Sequence, residues 1–175
     1  MEYTWHYESV LGGITLASDG KALTGLWFDG QNYFADTLEP EHEEKRLPVL
    51  EETMCWLDTY FAGRAPLPPP PLCMKGSVFR KRVWEILLTI PYGRTMTYAQ
   101  IAAILAQERG LAHMSAQAVG GAVGHNPISL IIPCHRVVGS NGSLTGYAGG
   151  IDKKRWLLEW EGVRCEGLYI PADLC

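Results

Sequence analysis

Apolar and polar residues alternate along Gly13-Ile-Thr-Leu-Ala-Ser-Asp-Gly20, the period of a strand buried on one face, and the run stops at a turn signal. Leu23-Thr-Gly-Leu-Trp-Phe28 reads as a second strand, closed by Asp29-Gly30. The period then changes. Leu50, Met54, Leu57, Tyr60 and Phe61 recur at helical spacing, so a helix over 50–61 follows the small sheet. Further along, Phe79, Val83, Ile86, Leu87 and Ile90 form one apolar helix face, stopped at Pro91-Tyr-Gly93. Thr97 is placed to cap a helix carrying Tyr98, Ile101, Ala102 and Leu105. After a loop over 108–114, Ser115 is a second cap candidate, heading a short helix over 116–123. Two helices joined in this way predict a helix-turn-helix whose second member is the recognition helix.

That second helix is a poor one on propensity. It holds Ala118, Gly120, Gly121 and Ala122, with Gly124 just beyond. Interior glycine costs about 1 kcal/mol relative to alanine, so something must approach the helix closely. Tight packing against another helix and contact with DNA both meet that requirement.

Between the two patterned regions, five prolines fall within the nine residues 64–72, which favours extended polyproline geometry and excludes helix. The expected organisation is an N-terminal domain over 1–64, a proline-rich linker over 65–76 and a C-terminal domain over 77–175. Charge divides near the same place. Residues 1–74 hold 4 Lys/Arg and 12 Asp/Glu, net −8, whereas 75–175 hold 11 and 7, net +4. The chain as a whole is mildly acidic, which argues against nucleic-acid binding, but the C-terminal balance reverses that for this region.

Composition narrows the class further. With 47% hydrophobic and 19% charged residues over 175 positions, the chain has material for a packed core and is not a disordered tail. The N-terminus has neither the basic start nor the apolar stretch of a signal peptide, and no apolar run reaches the ~20 residues of a membrane span. A soluble, cytoplasmic protein with no membrane partner is expected. The cysteines, Cys55, Cys73, Cys134, Cys165 and Cys175, are odd in number and lack Cys-x-x-Cys spacing. Neither a disulfide framework nor a zinc ribbon is signalled, and reduced thiols fit best.

The chemistry concentrates in Leu130-Ile-Ile-Pro-Cys-His-Arg-Val-Val138, where an apolar, strand-like run delivers a cysteine followed by two basic residues. Cationic neighbours lower a thiol pKa from about 8.5 and so raise the thiolate fraction. Successive side chains on a strand face opposite ways, so Cys134 and His135 meet only if the chain bends or a water bridges them. Histidine suits the role of base, and a carboxylate would be needed to orient it. On these residues alone, a buried structural thiol and a nucleophile both remain open.

Taken together, Pro133-Cys-His-Arg-Val137, Val83-Trp84, Ile90-Pro-Tyr-Gly-Arg-Thr95, Thr97-Tyr98, Ala118-Val-Gly-Gly-Ala122, Asn126-Pro127, Gly146-Tyr-Ala-Gly-Gly150 and Leu157-Leu-Glu-Trp-Glu-Gly162 closely resemble the O6-alkylguanine-DNA alkyltransferases. The resemblance is specific over about residues 77–162 and holds only in character before them. It implies an α/β fold: a small ribonuclease-H-like N-terminal α/β domain plus a mostly α C-terminal domain with a helix-turn-helix. It implies direct-reversal repair, with the alkyl group of O6-alkylguanine, and of O4-alkylthymine as a further substrate, ending irreversibly on Cys134. His135 is then the base acting through a bridging water, and Glu161 the carboxylate that orients it. Tyr98 donates to guanine N3 and crowds the phosphate, and Asn126 links the recognition helix to the active-site strand. Gln117, Ala118, Gly120, Gly121, Ser129, Arg136, Tyr147 and Ala148 are the implied DNA- and base-contacting residues, with the loop Gly146–Gly149 closing over a flipped base. The implied partner is double-stranded DNA entered through the minor groove by a monomer, with no cofactor and no metal; the zinc site of some members has no convincing ligand set here.

Two positions depart from the family pattern. Gln117 stands where many members carry the arginine that fills the space of the flipped base, and Ser129 where some have a proline. Two rival readings differ in chemistry. Alkyltransferase-like proteins flip damaged bases but lack the acceptor cysteine, which Cys134 argues against. A Cys-His hydrolase would turn over repeatedly on acyl substrates and requires an oxyanion-hole signature that this sequence does not display.

Overall fold

The computed structural model describes residues 1–164 together with Leu168. Cys165 and Cys175, counted among the thiols above, lie outside the described residues. The chain divides into two compact units, one of residues 1–76 with 127–131 and the other of 77–126 with 132–175.

The first unit is built on a four-stranded sheet in the order β3-β2-β1-β4. Strands β1 (Glu2–Ser9), β2 (Gly12–Ser18) and β3 (Leu23–Phe28) form an antiparallel meander, and β4 (His42–Glu44) pairs parallel with β1. The periodic stretches at 13–20 and 23–28 become β2 and β3, whose Ile14, Leu16, Leu23 and Leu26 are fully buried. β1 and β4 were not legible. β1 is a run of aromatic and polar residues without clean alternation, and all three residues of β4 are exposed and ionisable or nearly so. Helix α1 (Pro48–Phe61) opens with proline in its first turn and buries Leu50, Trp56, Leu57 and Tyr60.

The proline-rich stretch, expected as a linker, folds with this unit. Leu23 donates its N–H to Pro71 O at 2.7 Å, and Cys73 donates to Leu23 O at 2.9 Å. Three residues along β3, Leu26 N–H donates to Pro127 O and Ser129 N–H to Leu26 O, each at 2.9 Å. An outer strand exposes unpaired backbone groups, and here two separate downstream segments close the outer edge of β3.

In the second unit, Ser77 caps α2 (Val78–Leu87) by accepting from the Arg80 N–H. Thr97 caps α3 (Tyr98–Glu108) in a full capping box with Gln100, and Ser115 caps α4 (Ala116–Gly124). α3 and α4 are consecutive and packed together, in the order expected for a helix-turn-helix. Trp84 of α2 donates its indole N–H to Ala122 O at 2.9 Å, tying α2 to α4. A two-stranded parallel ladder, β5 (Met96–Thr97) with β6 (Val137–Val138), and α5 (Ile151–Trp160) complete the unit. No helix among the described residues is long and apolar enough to cross a membrane.

Candidate active site

Cys134 does not lie on a strand, as the apolar run around it suggested. It opens a 3-10 turn, Cys134–Arg136, with β6 only beginning at Val137. Proline before the cysteine breaks the ladder, and the Cys134 N–H bonds back to Ile132 O at 2.8 Å, so the chain bends here. The strict alternation of a strand therefore does not apply to this pair. Cys134 is 3% exposed and His135 is fully buried.

Asn126 follows the C-terminus of α4, and its amide donates to Ile132 O at 2.8 Å, pinning the approach to the turn. The same amide hydrogen-bonds the Cys134 thiol. Glu161 caps the C-terminus of α5 and gathers three elements around one carboxylate. Its Oε2 lies 2.6 Å from His135 Nε2, its Oε1 accepts from Arg136 Nε at 2.8 Å, and Oε1 also accepts the Gly93 N–H at 3.1 Å. Burial alone would raise this carboxyl, but the hydrogen bonds and charges of His135 and Arg136 outweigh it and hold it well below the ordinary range.

An ionised Glu161 fixes the proton of a neutral His135 on Nε2, leaving Nδ1 as a lone pair. Nδ1 is buried and has no hydrogen-bond partner among the described residues. Burial pushes the imidazole down towards its neutral form, with Glu161 offsetting part of that. Such an imidazole, held from behind by Glu161, can accept a proton at Nδ1.

The thiol corrects one expectation. Its cationic sequence neighbours do not lower it: His135 is held neutral and Arg136 is paired with Glu161. Burial pushes the Cys134 thiol up, opposed by the Asn126 hydrogen bond and by the charge of Lys154. Arg136, expected to contact DNA, is 6% exposed, and its guanidinium is taken up by Glu161 and by Ile90 O at 2.8 Å. It is a support for the carboxylate.

Lys154 was missed. In α5 it reads as one of several basic residues of a solvated face, yet it has no solvent exposure. Its ammonium donates to Thr145 O at 3.2 Å and lies 5.7 Å from the Tyr98 ring centroid. Burial pushes it down to about 8, with the Cys134 charge working the other way. A helical-wheel count over α5 places Lys154 with Leu157, Leu158 and Glu161 on the inward face, the one signal that could have exposed it. Gly93 was read only as part of a helix stop. With φ at +77° and a Cβ that would meet Glu161 O at 3.0 Å, it is also a position where a side chain would press on the carboxylate's backbone.

Beside this network lies a groove of about 570 Å³ lined by Tyr98, Gln117, Gly120, Gly121, Thr145 and Gly146. Tyr98 heads α3 and donates its hydroxyl to Thr145 O at 3.1 Å. A Cβ on Gly146, whose φ is +93°, would lie 2.6 Å from that hydroxyl, so glycine is required there. Gln117 and Ala118 are exposed on α4, and Ala148 is half-buried beside the buried Tyr147. Ser129 belongs to the segment that folds with the first unit, its hydroxyl 3.5 Å from Gln31 Oε1. The α4 glycines do not serve internal packing. A Cβ on Gly121 or Gly124 would meet nothing within 4 Å among the described residues, and one on Gly120 only the Tyr98 ring at 3.9 Å. Nor do the described residues bring three or more His, Cys, Asp or Glu together as metal ligands.

Residues 3–67 match the ribonuclease-like domain of 6-O-methylguanine DNA methyltransferase, and residues 78–163 match its DNA binding domain. The chain belongs to this methyltransferase family. The methylated-DNA–protein-cysteine methyltransferase of Mycobacterium tuberculosis is 42% identical over 174 residues, covering 97% of this chain and 96% of the relative. That of Haemophilus influenzae is 36% identical over 163 residues, covering 92% and 87%. Among solved structures, the Mycobacterium tuberculosis protein in complex with DNA superposes with a TM-score of 0.76 at 40% identity, covering 99% of this chain and 96% of that one. An O6-methylguanine DNA methyltransferase from Methanococcus jannaschii gives 0.60 at 30%, covering 90% and 92%. The mixed α/β architecture of this methyltransferase, a sheet unit and a helical unit, is that of its relatives.

Proposed function

We propose that this methyltransferase repairs alkylated DNA directly, Cys134 taking the alkyl group from O6 of guanine, and from O4 of thymine as a second substrate. The observation that carries the reading is the buried pairing of His135 Nε2 with Glu161 at 2.6 Å, one residue from Cys134, with Nδ1 left as a lone pair. The thiol proton passes through a bridging water to Nδ1, and the imidazolium so formed is stabilised by Glu161. Lys154, within electrostatic reach of the sulfur, favours the thiolate as it forms. The sulfur attacks the alkyl carbon in line. The C–S bond forms as the carbon–O6 bond breaks, and the departing guanine accepts a proton at N3 from Tyr98, whose phenolate is then reprotonated at the expense of the His135 imidazolium through solvent. In the thioether the only leaving group is the Cys134 thiolate, which water is too weak a nucleophile to displace, so each molecule acts once.

The alkylated oxygen is hard to reach inside a stacked duplex, so the base is rotated out, at an unstacking cost of a few kcal/mol. α4 enters the minor groove, where its glycines allow close approach, and Gln117 occupies the space left in the stack. The loop carrying Tyr147 and Ala148 closes over the extruded base. The net positive charge of residues 75–175 supplies attraction to phosphate. The protein acts as a monomer in the cytoplasm.

Intact-mass measurement after incubation with an O6-methylguanine duplex tests this. One methyl per molecule, mapped to Cys134, is the expected result. Cys134→Ser should bind the duplex within about two-fold of wild type and accept nothing, because groove contacts do not depend on the sulfur. Methylation at Cys55 or Cys165, or multiple turnover with unchanged protein mass, would overturn the reading.

A further inference from the structure

Two of the four buried side-chain polar atoms without a hydrogen-bond partner among the described residues lie in the first unit; the other two are His135 Nδ1 and the Tyr147 hydroxyl. These two are neighbours. The rings of His135 and Tyr147 meet edge-on, centroids 6.5 Å apart and planes at 78°. One atom is a lone-pair acceptor and the other an O–H donor. Each left bare would be destabilising, by the desolvation of a polar group in a water-poor interior. A single water between them would satisfy both, since water offers two donors and two acceptors and ordinarily takes about three partners when buried.

We propose that Tyr147 is a positioning residue for proton transfer, its hydroxyl donating to the water that carries the proton from Cys134 to His135 Nδ1. The inference rests on the alkyl-transfer reading above and assigns Tyr147 a part beyond closing over the base. The S–H bond breaks as the proton passes to the water, while the water's own proton passes to Nδ1. Thiolate and imidazolium result, the water is restored, and the Tyr147 O–H stays intact. Without that third partner the water keeps two contacts and is held less firmly on the line between sulfur and nitrogen. The phenol is held protonated throughout: burial raises it first, and the charges of Cys134 and Glu161 add to that.

The relay matters while Cys134 is a thiol and loses importance once hydroxide can strip the proton directly. The other ionisable groups facing the pair are Lys154 from α5 and Tyr98 from α3, beside the sulfur, and Glu161 and Arg136, beside the imidazole. All are common to the wild type and a Tyr147→Phe protein, so the difference between the two isolates the hydroxyl.

Single-turnover methyl transfer from a saturating O6-methylguanine duplex, followed from pH ~6 to ~10 in both proteins, tests the inference. Tyr147→Phe should be about ten-fold slower at neutral pH, with the gap closing to about two-fold at the alkaline end. Its melting temperature should stay close to that of the wild type. Equal neutral rates would overturn the proposal, and so would slowing by one constant factor at every pH, the mark of a purely structural or base-contacting role. A clear rise in melting temperature would also defeat it, because it would mean a hydroxyl buried with no partner at all. Wild-type protein that gains no methyl would overturn the alkyl-transfer reading itself, and this inference with it.

Discussion

Helix α5 buries a lysine with no solvent exposure and ends on a carboxylate that is 6% exposed, whereas α4 carries no ionisable side chain at all. The two helices belong to one unit and are assigned to one reaction in the mechanism proposed above, yet they treat charge in opposite ways. α5 holds fixed charges in a water-poor interior, where they act on the thiol and the imidazole without being screened. α4 is built to be approached: a polar amide, alanines and glycines whose missing side chains would have touched almost nothing inside the protein. Reaction chemistry here depends on what is buried beside the sulfur. In the proposed mechanism, recognition depends on what is left off the surface.

The sharpest way to break that contrast is at the carboxylate. Glu161→Gln should slow methyl transfer by at least about ten-fold at saturating DNA, with duplex affinity nearly unchanged. Removing one partner of a buried ion pair also destabilises by about 3 kcal/mol, which chemical denaturation would register. The linkage has a definite sign. The Glu161 carboxyl is held below its ordinary range in the folded chain, so its ionised form contributes stability that is complete above about pH 5. That contribution is lost as pH falls below the ordinary carboxylate range, and Glu161→Gln should flatten this acid limb of the stability curve.

Lys154→Met probes the same helix with opposite effects on rate and stability. Losing the ammonium should slow transfer about ten-fold at neutral pH, because the buried thiol loses its one opposing charge from α5. Stability should rise by about 1 kcal/mol, as an apolar side chain of similar volume replaces a desolvated charge. With the lysine pushed down to about 8, its protonated form opposes folding below that pH. The stabilisation by methionine should therefore be greatest below about pH 8 and fade towards the ordinary lysine value near 10.4. A variant that is both faster and more stable would sink the electrostatic role.

On α4 the effects are smaller and fall on binding. Gly121→Ala should stabilise the fold by about 0.5–1 kcal/mol, since a Cβ there meets nothing and helix propensity improves. Gly121→Leu should leave folding intact but weaken duplex binding at least about five-fold, roughly 1 kcal/mol, if the minor groove must come close. Duplex affinity equal to that of the wild type would remove α4 from the groove. The smallest change is at Gln117. Replacing it with arginine adds a stacking plane and a charge, so transfer from duplex should speed up more than transfer from single strand. The salt dependence of binding should steepen by up to about one counterion, and an equal gain on both substrates would defeat the idea.

The elements with strong local signals were readable before any coordinates. Thr97 and Ser115 cap the helices they head, and the period-two runs become β2 and β3. Where the reading fell short, the deciding contacts are remote in sequence. β4 has no apolar residue to betray it and exists because β1 offers an edge. Arg136 is expected at the DNA and Lys154 looks solvated from its neighbours, yet both are buried. Their burial is set by Glu161 and Ile90 in one case, and by Thr145 and the Tyr98 ring in the other. A basic residue carries no local mark of the partner that will take it inside.

The closing of the β3 edge has a temporal side. Pro71 and Cys73 reach that edge soon after the strands themselves, but Pro127 and Ser129 are made only after the helix-turn-helix has been translated. At about 5–20 residues per second, the stretch between Cys73 and Pro127 takes roughly 3–10 s to synthesise. During that interval the nascent sheet presents the Leu26 backbone groups unpaired. The first unit is therefore complete only once residues 127–131 have been made, and a gene fragment ending at Gly76 should yield a product prone to edge-to-edge association rather than a stable domain.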